Sequence, residues 1–278
     1  MWKKAGILAV LFLVNLFAWL GVYDSNKHKF LEVNFFDVGQ GDSIFIETPQ
    51  RQQILIDGGP SSAILEKLRK EMPFWDRTID LIILSHPEKD HMSGLLDVLK
   101  RYKVENILWT GVVRDTAEYK EWERLIKEEG AKIIIAHADQ RLSLSERLSL
   151  LVLSPFENLE GKVFKDSNNT SIVAKLTFGE NSFLFTGDIT KSVEKELISI
   201  DSDVLKVSHH GSKTSSGDEF IKEVSPEIAV ISAGKNNSYG HPHQEVLDVL
   251  NKYDINILRT DINGDIKIIS NGNDIYKK

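Results

Sequence analysis

The segment His86-Pro87-Glu88-Lys89-Asp90-His91 carries two imidazoles and two carboxylates within six residues. Such donors together suit Zn²⁺, Mn²⁺ or Fe, and a metal ion among them would activate water for hydrolysis. His86 and Glu88 can face one ion while Asp90 and His91 face another. A solvated surface charge run reads the same way, so the hexapeptide needs support from elsewhere in the chain. Histidines stand at positions 28, 86, 91, 137, 209, 210, 241 and 243, and six of them fall in three short segments. The other two segments are Ser208-His209-His210-Gly211-Ser212 and Tyr239-Gly240-His241-Pro242-His243. Phe185-Thr186-Gly187-Asp188 adds a carboxylate after an apolar run, where an aspartate either bridges two ions or caps a turn. Asp37 and Asp57-Gly58-Gly59 are turn residues or supports standing behind the ligands. His28 and His137 read as surface residues. With no cysteine in the chain, disulfides and thiolate zinc sites are excluded.

Each histidine segment follows an apolar strand, and loops at strand C-terminal ends are where α/β proteins hold ligands and catalytic groups. Residues 31–36, 43–47 and 53–56 read as an antiparallel meander joined by polar or Gly-rich turns. The wholly apolar 81–84 reads as a strand buried on both faces. Further strands are expected at 107–109, 133–135, 148–153, 172–178, 182–185, 204–207, 228–231, 255–258 and 266–269. Helical spacing appears at 63–71, 95–102, 117–129, 194–199, 218–224 and 242–252, with Gly130 ending the third of these. Two sheets with helices outside account for this order.

The chain has 278 residues, 41% hydrophobic and 27% charged, which fits a globular protein and argues against disorder or a polytopic membrane protein. A net charge of −7 argues against broad attraction to nucleic acid, although metal ions could reverse the field inside a cleft. Residues 1–29 differ from the rest. Lys3 and Lys4 precede an apolar run over 5–23, broken by Asn15, long enough to span a bilayer core of about 30 Å. The run ends without a small-x-small cleavage site, so an uncleaved single-pass anchor is expected, with a cleaved signal peptide or a buried helix as alternatives. The flanking charges favour an inside N-terminus and an extracytoplasmic domain over residues 30–278, secreted if the segment is cleaved.

Seven segments, in order, resemble one known family. They are Phe36-Asp37-Val38-Gly39-Gln40-Gly41-Asp42, Ile56-Asp57-Gly58-Gly59, Ser85-His86-Pro87-Glu88-Lys89-Asp90-His91-Met92-Ser93-Gly94, Asn168-Asn169-Thr170-Ser171, Thr186-Gly187-Asp188, Leu205-Lys206-Val207-Ser208-His209-His210-Gly211-Ser212 and Tyr239-Gly240-His241-Pro242-His243. Over 31–269 the chain resembles the metallo-β-lactamase superfamily, and within it the hydrolase domain at the C-terminus of ComEC DNA-uptake proteins, here in a stand-alone form. The resemblance implies an αββα sandwich of two mixed sheets flanked by helices, preceded by the N-terminal hydrophobic helix. It also implies two divalent metal ions, Zn or Mn. His86 and Glu88 would bind one, Asp90 and His91 the other, Asp188 would bridge, and the His209-His210 pair would add a ligand, His210 being the one assigned. Glu88 stands where the superfamily commonly has His and the ComEC branch Asp, and Asn168-Asn169 occupies the region of a missing third histidine motif. The more oxygen-rich site that results makes Mn²⁺ a competitor of Zn²⁺.

The expected activity is that of a phosphodiesterase or nuclease, with single-stranded DNA as the candidate substrate. Asp90 would orient the attacking water, His241 and His209 would hold the phosphate or protonate the leaving oxygen, and Ser212 would add an anion contact. The alternatives are hydrolysis of a phosphorylcholine ester, lactam or thioester, and a non-catalytic, membrane-tethered binding module.

Overall fold

A computed structural model describes the backbone of residues 2–27 and 30–278, so His28 lies outside the described residues. Helix α1 (Trp2–Lys27) leads the chain, and Asn15 within it donates its side-chain amide to the Leu11 carbonyl at 2.9 Å. Part of the apolar run expected to span a bilayer has side chains outside the described residues. Among the described residues no helix is long and apolar enough to cross a membrane.

Short turns let β1 (Leu31–Phe35), β2 (Ile44–Glu47) and β3 (Gln53–Ile56) pair as the expected antiparallel meander. Beyond β3 the sheet continues in parallel through β4 (Thr78–Ile83), β5 (Lys103–Trp109) and β6 (Lys132–Ile135). A parallel neighbour needs a crossover, and α2 (Ala63–Glu71), α3 (Lys89–Leu99) and α4 (Ala117–Glu129) supply the three. Helix α4 shows its sequence signals plainly. Thr116 caps it by accepting from the Tyr119 amide at 3.2 Å, and Gly130 ends it at φ 70°.

The second half repeats the plan. β7 (Arg141–Ser143), β8 (Leu148–Ser154), β9 (Val173–Phe178) and β10 (Asn181–Phe185) pair antiparallel in sequence. They are followed in parallel by β11 (Val204–Lys206), β12 (Ile228–Ile231) and β13 (Asn256–Arg259). Outside lie α5 (Lys191–Glu194), α6 (Asp218–Val224) and α7 (Gln244–Lys252), and a short α8 (Thr260–Asn263) turns the chain back. The final hairpin, β14 (Ile266–Ser270) and β15 (Ile275–Lys277), joins the first sheet beside β1.

Packing makes this an αββα sandwich, as expected. Val33, Phe35, Ile46 and Leu81 of one sheet meet Leu150, Leu176, Phe183 and Val204 of the other in a buried central layer. A second apolar layer sets α2, α3 and α4 on the first sheet through Leu68, Leu95 and Trp122, and a third sets α6 and α7 on the second sheet through Phe220 and Leu250. Two sheets buried on both faces explain the unbroken apolar runs at 81–84, at the end of β4, and in β12.

Helix α3 begins at Lys89 rather than near residue 95, so Asp90 and His91 ride on its first turn. Pro87 and an extended Glu88 (φ −98°, ψ 155°) stop the helix from starting earlier. The helix is drawn against the turn after β3 at Gly94, where any Cβ would collide with the Gly58 carbonyl oxygen.

Candidate metal centre

Five strand-end loops converge along one edge of the sandwich, after β3, β4, β10, β11 and β12. They bring together Asp90, His91, Asp188 and His210, whose ligand atoms all lie within 4.8 Å of one another. The Asp188 Oδ2 sits 3.4 Å from His91 Nε2 and 3.3 Å from His210 Nε2, and Asp90 Oδ2 is 3.3 Å from the same His210 nitrogen. Donors about 2.1 Å from one ion in tetrahedral array stand about 3.4 Å apart, so these spacings suit a divalent ion. His91 Nε2, His210 Nε2, His86 Nε2 and Asp188 Oδ1 are all buried without a hydrogen-bond partner, a costly state in a protein interior unless something else satisfies them. The residues therefore fit a bound metal.

The buried histidines are held from behind. Asp57 Oδ2 lies 2.8 Å from His91 Nδ1 and also accepts the Ser85 hydroxyl at 2.6 Å, leaving His91 Nε2 directed inward. The Ser85 hydroxyl is in turn 3.0 Å from His86 Nδ1. His210 Nδ1 is 2.9 Å from the Ser232 carbonyl and 3.4 Å from Asp42 Oδ1. Asp42 itself pairs at 2.7 Å with Lys206, both being almost fully buried. The Lys206 ammonium also donates to the Val207 carbonyl at 2.9 Å.

The backbone takes uncommon shapes to achieve this. His209 (φ 49°) and His210 (φ 54°) are both left-handed, a conformation non-glycine residues seldom hold without surrounding support. Gly41 is equally constrained, since a Cβ there would run into the Asp90 carbonyl oxygen.

Charge coupling inside the centre is strong. Burial pushes the Asp188 carboxyl up, but the charges of His210 and His91 outweigh it and hold Asp188 well below the usual carboxylate range. Asp90 behaves alike: burial raises it, and His91 and His210 bring it down to about 2. Burial would lower His91 and His210, yet Asp188 leads a set of carboxylates that raises both well above the usual value. His86 lacks so close a carboxylate, and burial followed by the His91 charge lowers it to about 3. Asp57 is raised, chiefly by burial.

The remaining expected residues lie around this group. His209 is less buried, with Nε2 3.9 Å from Asp188 Oδ2 and 3.3 Å from the Asn168 side-chain amide. His241 lies over it, ring centroids 5.7 Å apart, and its Nδ1 is 3.5 Å from the Gln40 amide. Burial, then the nearby His210 and His209, lowers His241 to about 4. The Ser212 hydroxyl is engaged by Thr214 at 2.9 Å within its own turn. Glu88 stands apart from the four-residue group: its Oε1 is 2.9 Å from Arg114 Nη2 and accepts the Ser167 hydroxyl at 2.5 Å. Asp37 serves its turn, accepting from the Gly39 amide at 3.2 Å, and His137 is exposed.

Sequence reasoning passed over Asp42, Lys206 and Arg114. A lysine within the apolar run Val204-Leu205-Lys206-Val207 was the available signal, because a buried strand admits an ammonium only beside a carboxylate. Nothing local marked Arg114, whose partner is distant in sequence.

The family profile described as "Metallo-beta-lactamase superfamily" matches residues 36–235. ComE operon protein 3 of Bacillus subtilis (strain 168) is 38% identical over 258 residues, which is 85% of this chain and 32% of that protein. Competence protein ComA of Neisseria gonorrhoeae is 30% identical over 237 residues, 84% of this chain and 31% of that protein. The chain thus spans about a third of the length of these curated relatives. Among solved structures, the metallo-beta-lactamase fold protein YhfI from Bacillus subtilis superposes with a TM-score of 0.56 at 15% identity, covering 82% of this chain and 96% of that one, a likeness that carries the fold alone. The chain belongs to the metallo-β-lactamase superfamily and resembles its ComEC-like competence proteins.

Proposed function

We propose that this protein is a metal-dependent phosphodiesterase that cleaves DNA, with single-stranded DNA as the preferred form. The observation that supports it most is the buried set of Asp90, His91, Asp188 and His210 with unpartnered donor atoms, in a chain whose relatives are named for competence. A divalent ion held there, Zn²⁺ or Mn²⁺, supplies Lewis acidity, lowering the pKa of water toward neutrality and polarising a phosphoryl oxygen.

The side chains then have distinct tasks. Asp90, more open to solvent than the other three, accepts a hydrogen bond from the attacking water and fixes its direction. His209 and His241, both shifted toward the neutral form, line the approach to Asp188. Neutral imidazoles suit the holding of a phosphoryl oxygen through one N–H better than they suit proton donation at pH 7. A dication bound among these carboxylates would be the largest local charge and would attract a phosphodiester despite the net charge of −7.

The test is a substrate panel on the Mn²⁺- and Zn²⁺-loaded chain: single- and double-stranded DNA, bis-p-nitrophenyl phosphate, a phosphorylcholine ester, nitrocefin and a thioester. Cleavage of the phosphodiesters, with single-stranded DNA ahead of duplex, is expected. Hydrolysis confined to nitrocefin or the thioester would move the protein to another hydrolase class, and inertness toward the whole panel would favour a binding module.

A further inference from the structure

Glu88 belongs by sequence to the ligand motif but stands outside the four-residue group, its Oε1 engaged by Arg114 Nη2 at 2.9 Å and the Ser167 hydroxyl at 2.5 Å. Arg114 is not free to let go easily. Its Nη1 donates to the carbonyls of Phe164 at 3.0 Å and Lys165 at 3.1 Å, so both ends of the guanidinium are engaged. The clamp is continuous with backbone contacts, since the Val113 amide donates to the Lys162 carbonyl at 2.8 Å beside it. A planar guanidinium with fixed partners is a far stronger hold than a mobile lysine. Asp90, His91, Asp188 and His210 group together without Glu88, whereas His86, its Nε2 buried without a partner, stands outside that group.

We propose that the centre is unequal: one divalent ion binds tightly at Asp90, His91, Asp188 and His210, and Arg114 withholds Glu88 so that a second ion beside His86 binds weakly. Arg114 and Ser167 are in this account positioning residues that set metal stoichiometry. The fixed positive charge of Arg114 next to Glu88 works in the same direction, because it disfavours a further dication nearby. The inference rests on the four-residue group being a metal centre, and the experiment separates the two ideas.

The full chain is stripped with chelator, titrated calorimetrically with Mn²⁺ and separately with Zn²⁺, and analysed for bound metal after desalting. One ion per chain should survive desalting, with a second binding at least about tenfold more weakly, the scale on which outer-shell contacts tune metal affinity. In Arg114→Met the second ion should tighten by about tenfold or more while the first is unmoved. Glu88→Gln alone should leave the wild-type profile as it was, and added to Arg114→Met it should cancel the gain. Ser167→Ala, a smaller change, should shift the second ion the same way and serves if Arg114→Met folds poorly. Two ions of equal affinity in the wild type overturn the proposal, as does a tenfold loss of the second ion in Glu88→Gln alone. A chain that binds no ion at all overturns both this proposal and the metal-centre reading beneath it.

Discussion

Replacing Lys206 with Met leaves the Asp42 carboxylate stranded in the interior. The two groups are 2.7 Å apart, with side chains 1% and 2% exposed, so neither can turn to water. At that distance, and with an effective dielectric constant of about 20, their attraction is about 6 kcal/mol, most of which offsets the desolvation of two ions. The intact pair therefore contributes little net stability, but removing one partner exposes the full cost of the other. Breaking such a buried pair costs about 3–5 kcal/mol, which in a domain of this size lowers Tm by roughly 6–20 °C. The effect should reach the metal centre too, since Asp42 Oδ1 stands 3.4 Å from His210 Nδ1. Burial alone drives Asp42 toward its neutral form, and the Lys206 and His210 charges are what hold it well below the usual range. Chemical denaturation of the metal-free chain measures the loss, and the double variant Lys206→Met with Asp42→Asn should recover most of it. A single variant within 1 kcal/mol of wild type, or a double variant no better than the single, refutes this reasoning.

Two further outcomes concern the ligands. Asp57→Asn retains a residue type tolerant of the left-handed φ of 57° but removes the anion behind His91, and metal affinity should fall about 10- to 100-fold in competition with a chromophoric chelator. An unchanged affinity would mean that Asp57 only supports the turn. Metal uptake should also depend on pH. Because nearby carboxylates, Asp188 first, raise His91 and His210 well above their usual value, protons compete with an ion for both. Lower pH strengthens that competition, so affinity should rise from pH 6 to pH 8 with protons released on binding, as calorimetry in buffers of different ionisation enthalpy reports. Proton-independent binding would place the ion elsewhere.

Much of the fold was legible because its signals are local. Strand β3, helix α2, helix α4 and strand β12 fall where alternation, helical spacing and caps put them. The edges were less so. β7 and β15 are three-residue strands at sheet margins, Arg141–Ser143 and Ile275–Lys277, too short and too polar to show a period. Histidines at three strand ends pointed to the site, and the fold brings His86, His91, His209, His210 and His241 into one neighbourhood. What sequence could not reveal is where Glu88 turns, because the outcome depends on Arg114 and Ser167, whose chain separations from it no periodic pattern encodes. The buried Asp42 and Lys206 pair is hidden for the same reason. It joins the start of the first sheet to the middle of the second, and only the closed sandwich brings them within 2.7 Å.

The central claim is that phosphodiester cleavage runs through the four-residue centre, and Asp188 is the ligand that touches both inner histidines. The most direct measurement compares wild type and Asp188→Ala for cleavage of single-stranded DNA under Mn²⁺ and Zn²⁺, with bound metal determined on the same samples. Wild type should cleave and lose activity to chelator, while the variant should lose the retained ion and at least about a thousandfold in rate, several kcal/mol of transition-state stabilisation. An Asp188→Ala chain that keeps its metal and cleaves at the wild-type rate would contradict the account.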